Sequence, residues 1–120
     1  MTIALWIVNI VLALVFLGAG GMKLGKSKEA YVAGGMAWAE SQSAGTIKLI
    51  GTLEVLGAIG LIVPLATGIV PVLTPIAALC LTLTMVVATL VHGARKENPT
   101  PAVVLGVISA VSAVLGFLAL

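Results

Sequence analysis

Aspartate is absent from this 120-residue chain, and histidine and cysteine occur once each. Those absences exclude a good deal of chemistry. One His and one Cys cannot build a metal site from nitrogen and sulfur ligands, and no HExxH or CxxC spacing occurs. The scattered serines have neither an Asp nor a second His to complete a nucleophilic triad. There is no P-loop and no Rossmann fingerprint. The lone Cys80 excludes an intrachain disulfide; it lies in an apolar run and reads as a small buried hydrophobe. Charge is scarce as well. Only 8% of residues are charged, six basic and four acidic, against about 25% in soluble domains. Six basic residues make no nucleic-acid footprint. Five of them sit in loops beside spans, where they set topology, and Lys48 is near the start of the second span.

Apolar side chains, by contrast, are abundant. Hydrophobic residues make up 61% of the chain, and the mean hydropathy is +1.28. The composition predicts an all-α integral membrane protein, a single transmembrane domain over residues 1–120. Four spans are expected, at about 3–22, 47–65, 69–91 and 102–120, forming an antiparallel up-down four-helix bundle. MTIALW has no Lys or Arg ahead of its apolar run, and that run exceeds a signal-peptide core of about 7–15 residues. The first span is therefore expected to stay in the mature protein.

Span 1 ends in GAGGMKLG, whose glycines favour close helix packing and also loosen the helix enough for a break. Residues 23–45 form the longest polar segment. It reads either as an irregular connection on the membrane surface or as a short re-entrant or interfacial helix covering the mouth of the bundle. Trp38 fits both as an interfacial anchor. Span 4 carries the small-residue pairs Gly106/Ala110, Ser109/Ala113 and Ser112/Gly116 on more than one face. That pattern suits contact with several neighbours, a second copy of the chain included.

Glu54 lies inside span 2. A carboxylate there costs roughly 2.5–3.5 kcal/mol on insertion scales and is normally turned inward with a partner. Gly51, Gly57 and Ala58 share its helical face at i±3 and i+4 spacing, which places Glu54 at a close helix contact. In span 3, Thr82, Met85, Thr89, His92 and Lys96 recur at steps of three and four. The seam reads either as threonines bonding their own helix with a surface histidine, or as a polar lining for the cavity of Glu54.

Lys23, Lys26, Lys28, Arg95 and Lys96 fall in the first and third loops, while the second loop and both termini hold no Lys or Arg. The positive-inside rule then puts loop 23–45 and the third loop in the cytoplasm and both termini outside. Glu54 is about 12 Å from the cytoplasmic end of its span at 1.5 Å per residue. Lys23 and His92 end their spans at that same face, and Arg95 is one turn further. The expected pocket is lined by Glu54, Lys23, His92, Arg95, Thr89 and Trp38, with the outer half of the bundle nearly all apolar.

GAGGMKL, MAWAE, IGTLEVLGAIGLIVP, TGIVPVLTPIAA and VHGARKE, in that order, resemble the DoxX-like family of small four-span bacterial membrane proteins. The resemblance implies a four-helix bundle in the bacterial inner membrane. It also marks Lys23, Glu54, His92 and Arg95 as the polar residues of interest. The family takes its name from a subunit associated with thiosulfate:quinone oxidoreductase, so a quinone-linked role and a respiratory or redox partner are implied.

Three uses of the pocket follow. Glu54 and a cation form a structural pair; or Glu54 exchanges a proton or binds a cationic ligand in a small transporter, comparable in size to four-span multidrug exporters; or the pocket holds a quinone or lipid head group, with His92 or Lys23 donating a hydrogen bond. The function expected is an accessory membrane protein, without catalysis of its own, that holds a lipid-soluble ligand or a partner subunit. The alternatives are the transporter and a scaffold or assembly factor.

Overall fold

The computed structural model describes residues 2–120, leaving aside the side chains of Thr2, Trp38 and Ser41. The elements are α1 (Thr2–Gly25), α2 (Lys28–Ala33), a 3-10 turn (Ala37–Ser41), α3 (Ala44–Thr67), α4 (Leu73–Ala94) and α5 (Thr100–Leu118). No strand occurs among the described residues. α1, α3, α4 and α5 are each long and apolar enough to cross a membrane. At 1.5 Å per residue they measure about 28–36 Å, which matches a hydrocarbon core of about 30 Å. The chain is an all-α, multi-pass membrane bundle.

Helix ends follow local chemistry. Ser43 caps α3, its hydroxyl accepting from the Thr46 N–H at 3.1 Å. The α3 helix runs through Pro64 and stops at Gly68, whose φ of +71° is the left-handed conformation a glycine adopts without strain. Lys48 does not simply reach for water. Its Nζ donates to the Leu24 and Lys26 carbonyls at 2.7 and 2.8 Å, satisfying acceptors at the end of α1. α1 itself stays helical through its glycines to Gly25. α4 begins at Leu73, later than the start at about 69 expected for its span. Pro75 then falls in the first turn, where no intrahelical N–H is needed.

α1 packs on α3, α3 on α4, and α4 on α5, while α1 and α5 touch more sparingly. Alternating directions put both termini and the α3–α4 turn at one end of the bundle (the terminal end). The first and third loops share the other (the loop end). The core runs through Leu12, Phe16, Leu61, Ala78, Leu81 and Met85. Large apolar side chains such as Leu14, Leu56, Leu83 and Val107 face outward, as lipid requires. Lipid tails are as apolar as these side chains, so close packing has to hold the helices together. A β-carbon on Gly20 would fall 2.7 Å from the Gly51 carbonyl oxygen, so α1 and α3 cross there nearly backbone to backbone. The small residues of α5 serve neighbours within the chain: Gly116 lies against Pro75 of α4, and Ser112 bonds to Asn9 of α1.

Two expectations are corrected here. Cys80 is exposed, on the outward side of α4 with Ile76, Leu79 and Leu83, because the helix turns its lipid face there. The terminal half of the bundle is also not uniformly apolar. Asn9, Thr74, Ser109 and Ser112 are fully buried in it. Asn9 Nδ2 donates to the Leu61 carbonyl at 3.0 Å, and the Ser112 hydroxyl bonds Asn9 Oδ1, tying three helices together. A buried amide inside a bundle is tolerable because its hydrogen bonds are met.

Candidate functional site

Lys23 and Glu54 meet at the α1–α3 crossing. Side chains on a helix lean toward its N-terminus. In antiparallel neighbours, Lys23 therefore leans from α1 toward the terminal end, and Glu54 from α3 toward the loop end. They converge, with Lys23 Nζ 2.6 Å from Glu54 Oε1 and both side chains buried. Gly51 makes room for this. A β-carbon there would sit 2.7 Å from the β-carbon of Lys23. The Tyr31 ring, from α2, is also buried; its centroid lies 5.9 Å from Lys23 Nζ, within cation–π reach.

Segment 26–43 folds over this end of the bundle. Ser27 caps α2 through the Ala30 N–H, and Tyr31, Ala39 and Ile47 make a small core of their own with Val32 and Met36. The segment is thus a short helix and a 3-10 turn, closer to the helical reading of its sequence than to the irregular one.

Beneath it lies a cavity of about 560 Å³. Lys23, Glu54 and His92 all line it, with Tyr31, Gln42 and Thr46 adding polar atoms. The remaining walls are mostly apolar and come from all four long helices. The volume and composition suit a small amphiphile: apolar walls and a few convergent polar groups. The buried pair offers an ammonium donor and a carboxylate acceptor close together.

Not every expected residue is part of the lining. Arg95 turns to Glu97, Nε to Oε1 at 2.5 Å, and both are about one-third exposed. The Thr89 hydroxyl donates to the Met85 carbonyl of its own helix at 2.8 Å and is absent from the cavity wall. Thr82 does the same with Ala78. The seam on α4 therefore divides: its threonines at 82 and 89 bond their own backbone, while Met85 and His92 face the cavity. The Trp38 side chain falls outside the described residues. Tyr31, Met36, Gln42, Thr46 and Thr84 line the cavity without having been singled out. Tyr31 and Met36 fall in YVAGGMAWAE, where apolar and aromatic residues mix with glycines.

The family model described as DoxX-like matches residues 7–116. That range takes in α3 and α4 whole, most of α1 and α5, and the folded segment over the cavity. No curated protein and no solved structure matches the chain.

Proposed function

The chain belongs to the DoxX-like family, and on that premise we propose that it is an accessory inner-membrane protein that holds a lipid-soluble ligand, a quinone or a lipid, in the cavity around Lys23 and Glu54. The observation that carries this reading is the placement of a buried ion pair on the wall of a mostly apolar cavity. An ion pair needed only to fix helix packing is better served by close surroundings with no room beside it. Here there is room for a head group, with His92 and Lys23 as hydrogen-bond donors toward a carbonyl or hydroxyl. The same end of the bundle carries Lys26, Lys28, Arg95 and Lys96, and the termini carry no Lys or Arg. By the positive-inside rule the cavity then sits at the cytoplasmic side, with both termini outside.

The test is direct. Small molecules extracted from the detergent-purified protein are identified by mass spectrometry, in the wild type and in Glu54→Gln and His92→Ala. The expected result is a stoichiometric quinone or lipid in the wild type, lost or depleted in both variants. Retention of the same compound in both variants places it elsewhere on the protein and ends this reading of the cavity.

A further inference from the structure

The cavity wall is uneven around the bundle. Toward the terminal end, α3 and α4 are in tight contact. A β-carbon on Gly57 would fall 2.6 Å from Leu81 Cδ2, and one on Gly60 would fall 2.7 Å from the Ala77 β-carbon. Nearer the loop end, residues of these two helices line the cavity instead: Ile50 and Leu53 from α3, Thr84 and Val87 from α4. Leu53, 48% exposed, lies at helical spacing from the exposed Leu49 and Leu56, and Val87, 56% exposed, from the exposed Leu83 and Leu90, so both belong to the cavity wall and to the outward rows of their helices at once.

Depth decides what this opening faces. At 1.5 Å per residue, Leu53 lies about 13 Å from Ala44 at the loop end of α3, and Val87 about 10 Å from Ala94 at the loop end of α4. Both depths fall within the hydrocarbon half-thickness of about 15 Å. On the aqueous side, Tyr31, Met36 and Gln42 of the folded segment line the cavity.

We propose that the cavity opens sideways into the bilayer between α3 and α4, through a gap flanked by Leu53 and Val87, and draws an uncharged amphiphile from the hydrocarbon phase. This rests on the reading of the cavity as a ligand site and adds the route and the class of ligand. A charged molecule is costly to bring through acyl chains, so the route selects for neutral compounds. The Lys23–Glu54 pair fits that selection. Its two charges offset one another, yet it still presents a donor and an acceptor to a carbonyl or hydroxyl head. Leu53 and Val87 then touch the apolar remainder of the ligand, which trails toward the lipid.

The test reads the opening and needs no identified ligand. Ala88, half-buried on the cavity wall, is changed to Cys in a Cys80→Ala background, labelled with a nitroxide, and reconstituted in phosphatidylcholine vesicles. Electron paramagnetic resonance then compares collisions with oxygen, which concentrates in lipid, and with a water-soluble nickel chelate. The proposal expects high oxygen and low nickel accessibility. Adding Leu53→Trp and Val87→Trp, with helicity checked by circular dichroism, is expected to reduce the oxygen accessibility. High nickel accessibility before any tryptophan is added shows an opening to water and overturns the proposal. So does low accessibility to both reagents. Should the tryptophan pair prevent folding, the label in the background without it still decides. A lipid-facing opening with no co-purified compound overturns the ligand reading alone; a bound compound beside a closed wall overturns the route alone.

Discussion

Two ion pairs in this chain have nearly the same length and very different weight. Arg95 and Glu97 are two residues apart and partly exposed, so water screens them and their contribution is about 0–1 kcal/mol. Lys23 and Glu54 come from different helices and are buried. Removing one partner of such a pair leaves a charge without its counter-ion and costs about 3–5 kcal/mol, while replacing both is often nearly neutral. Glu54→Gln is therefore expected to lower the thermal unfolding temperature in detergent markedly, and Glu54→Gln with Lys23→Met to regain most of the loss. A double variant no more stable than the single one contradicts the pairing. The inward direction of Glu54 was legible in its small neighbours. The division of labour between Lys23 and Arg95 was not, because a local acidic partner two residues away leaves no periodic mark that separates it from one across the bundle. Thr89 was obscured similarly, since a hydroxyl on a helix bonds the carbonyl four residues back whatever face it occupies.

Between elements, glycine sets the spacing, and the kind of atom it meets sets the cost of losing it. A β-carbon on Gly51 meets the Lys23 β-carbon at 2.7 Å and the Gly20 carbonyl oxygen at 3.0 Å, atoms fixed to helix backbone. A β-carbon on Gly57 meets the end of the Leu81 side chain, which has rotamers to retreat into. Gly51→Ala is thus expected to cost about 1–3 kcal/mol as overpacking and to loosen the contact of α1 with α3. Gly57→Ala, at a site of similar closeness, is expected to cost less. Thermal unfolding of the two variants side by side checks the ranking; equal losses would show that flexibility of the neighbour is unimportant. The four rods themselves were plain from long apolar runs and from the prolines and glycines between them. The tie between Asn9, Leu61 and Ser112 was hidden, because Asn9 is a lone polar residue in span 1 and its serine partner lies 103 residues away. No local pattern carries that information.

Across the whole molecule, polarity is arranged by end. The cavity, the ion pair and the loop cations share the loop end, and the terminal end holds a neutral hydrogen-bonded knot. An alkaline phosphatase fused after Leu120 is expected to be active and a green fluorescent protein there dark, since both termini are proposed to face outward; the reverse pattern would put the cavity at the outer surface. The covering segment was only half legible: its composition suited an irregular connection as well as a short helix, and the small core around Tyr31, Ala39 and Ile47, which decides for the helix, joins residues that no local pattern links.

The cavity beside Lys23 and Glu54 is proposed as a place for a ligand and not merely a packing defect around a structural pair. Native mass spectrometry of the wild type and of the Glu54→Gln, Lys23→Met double variant separates the two, because the double variant is expected to keep the fold while losing the ammonium donor and the carboxylate acceptor. The expected result is a wild-type mass raised by one bound lipid-soluble compound and a double variant of unadorned mass. A bare wild type, or a double variant carrying the same compound to the same extent, would contradict it.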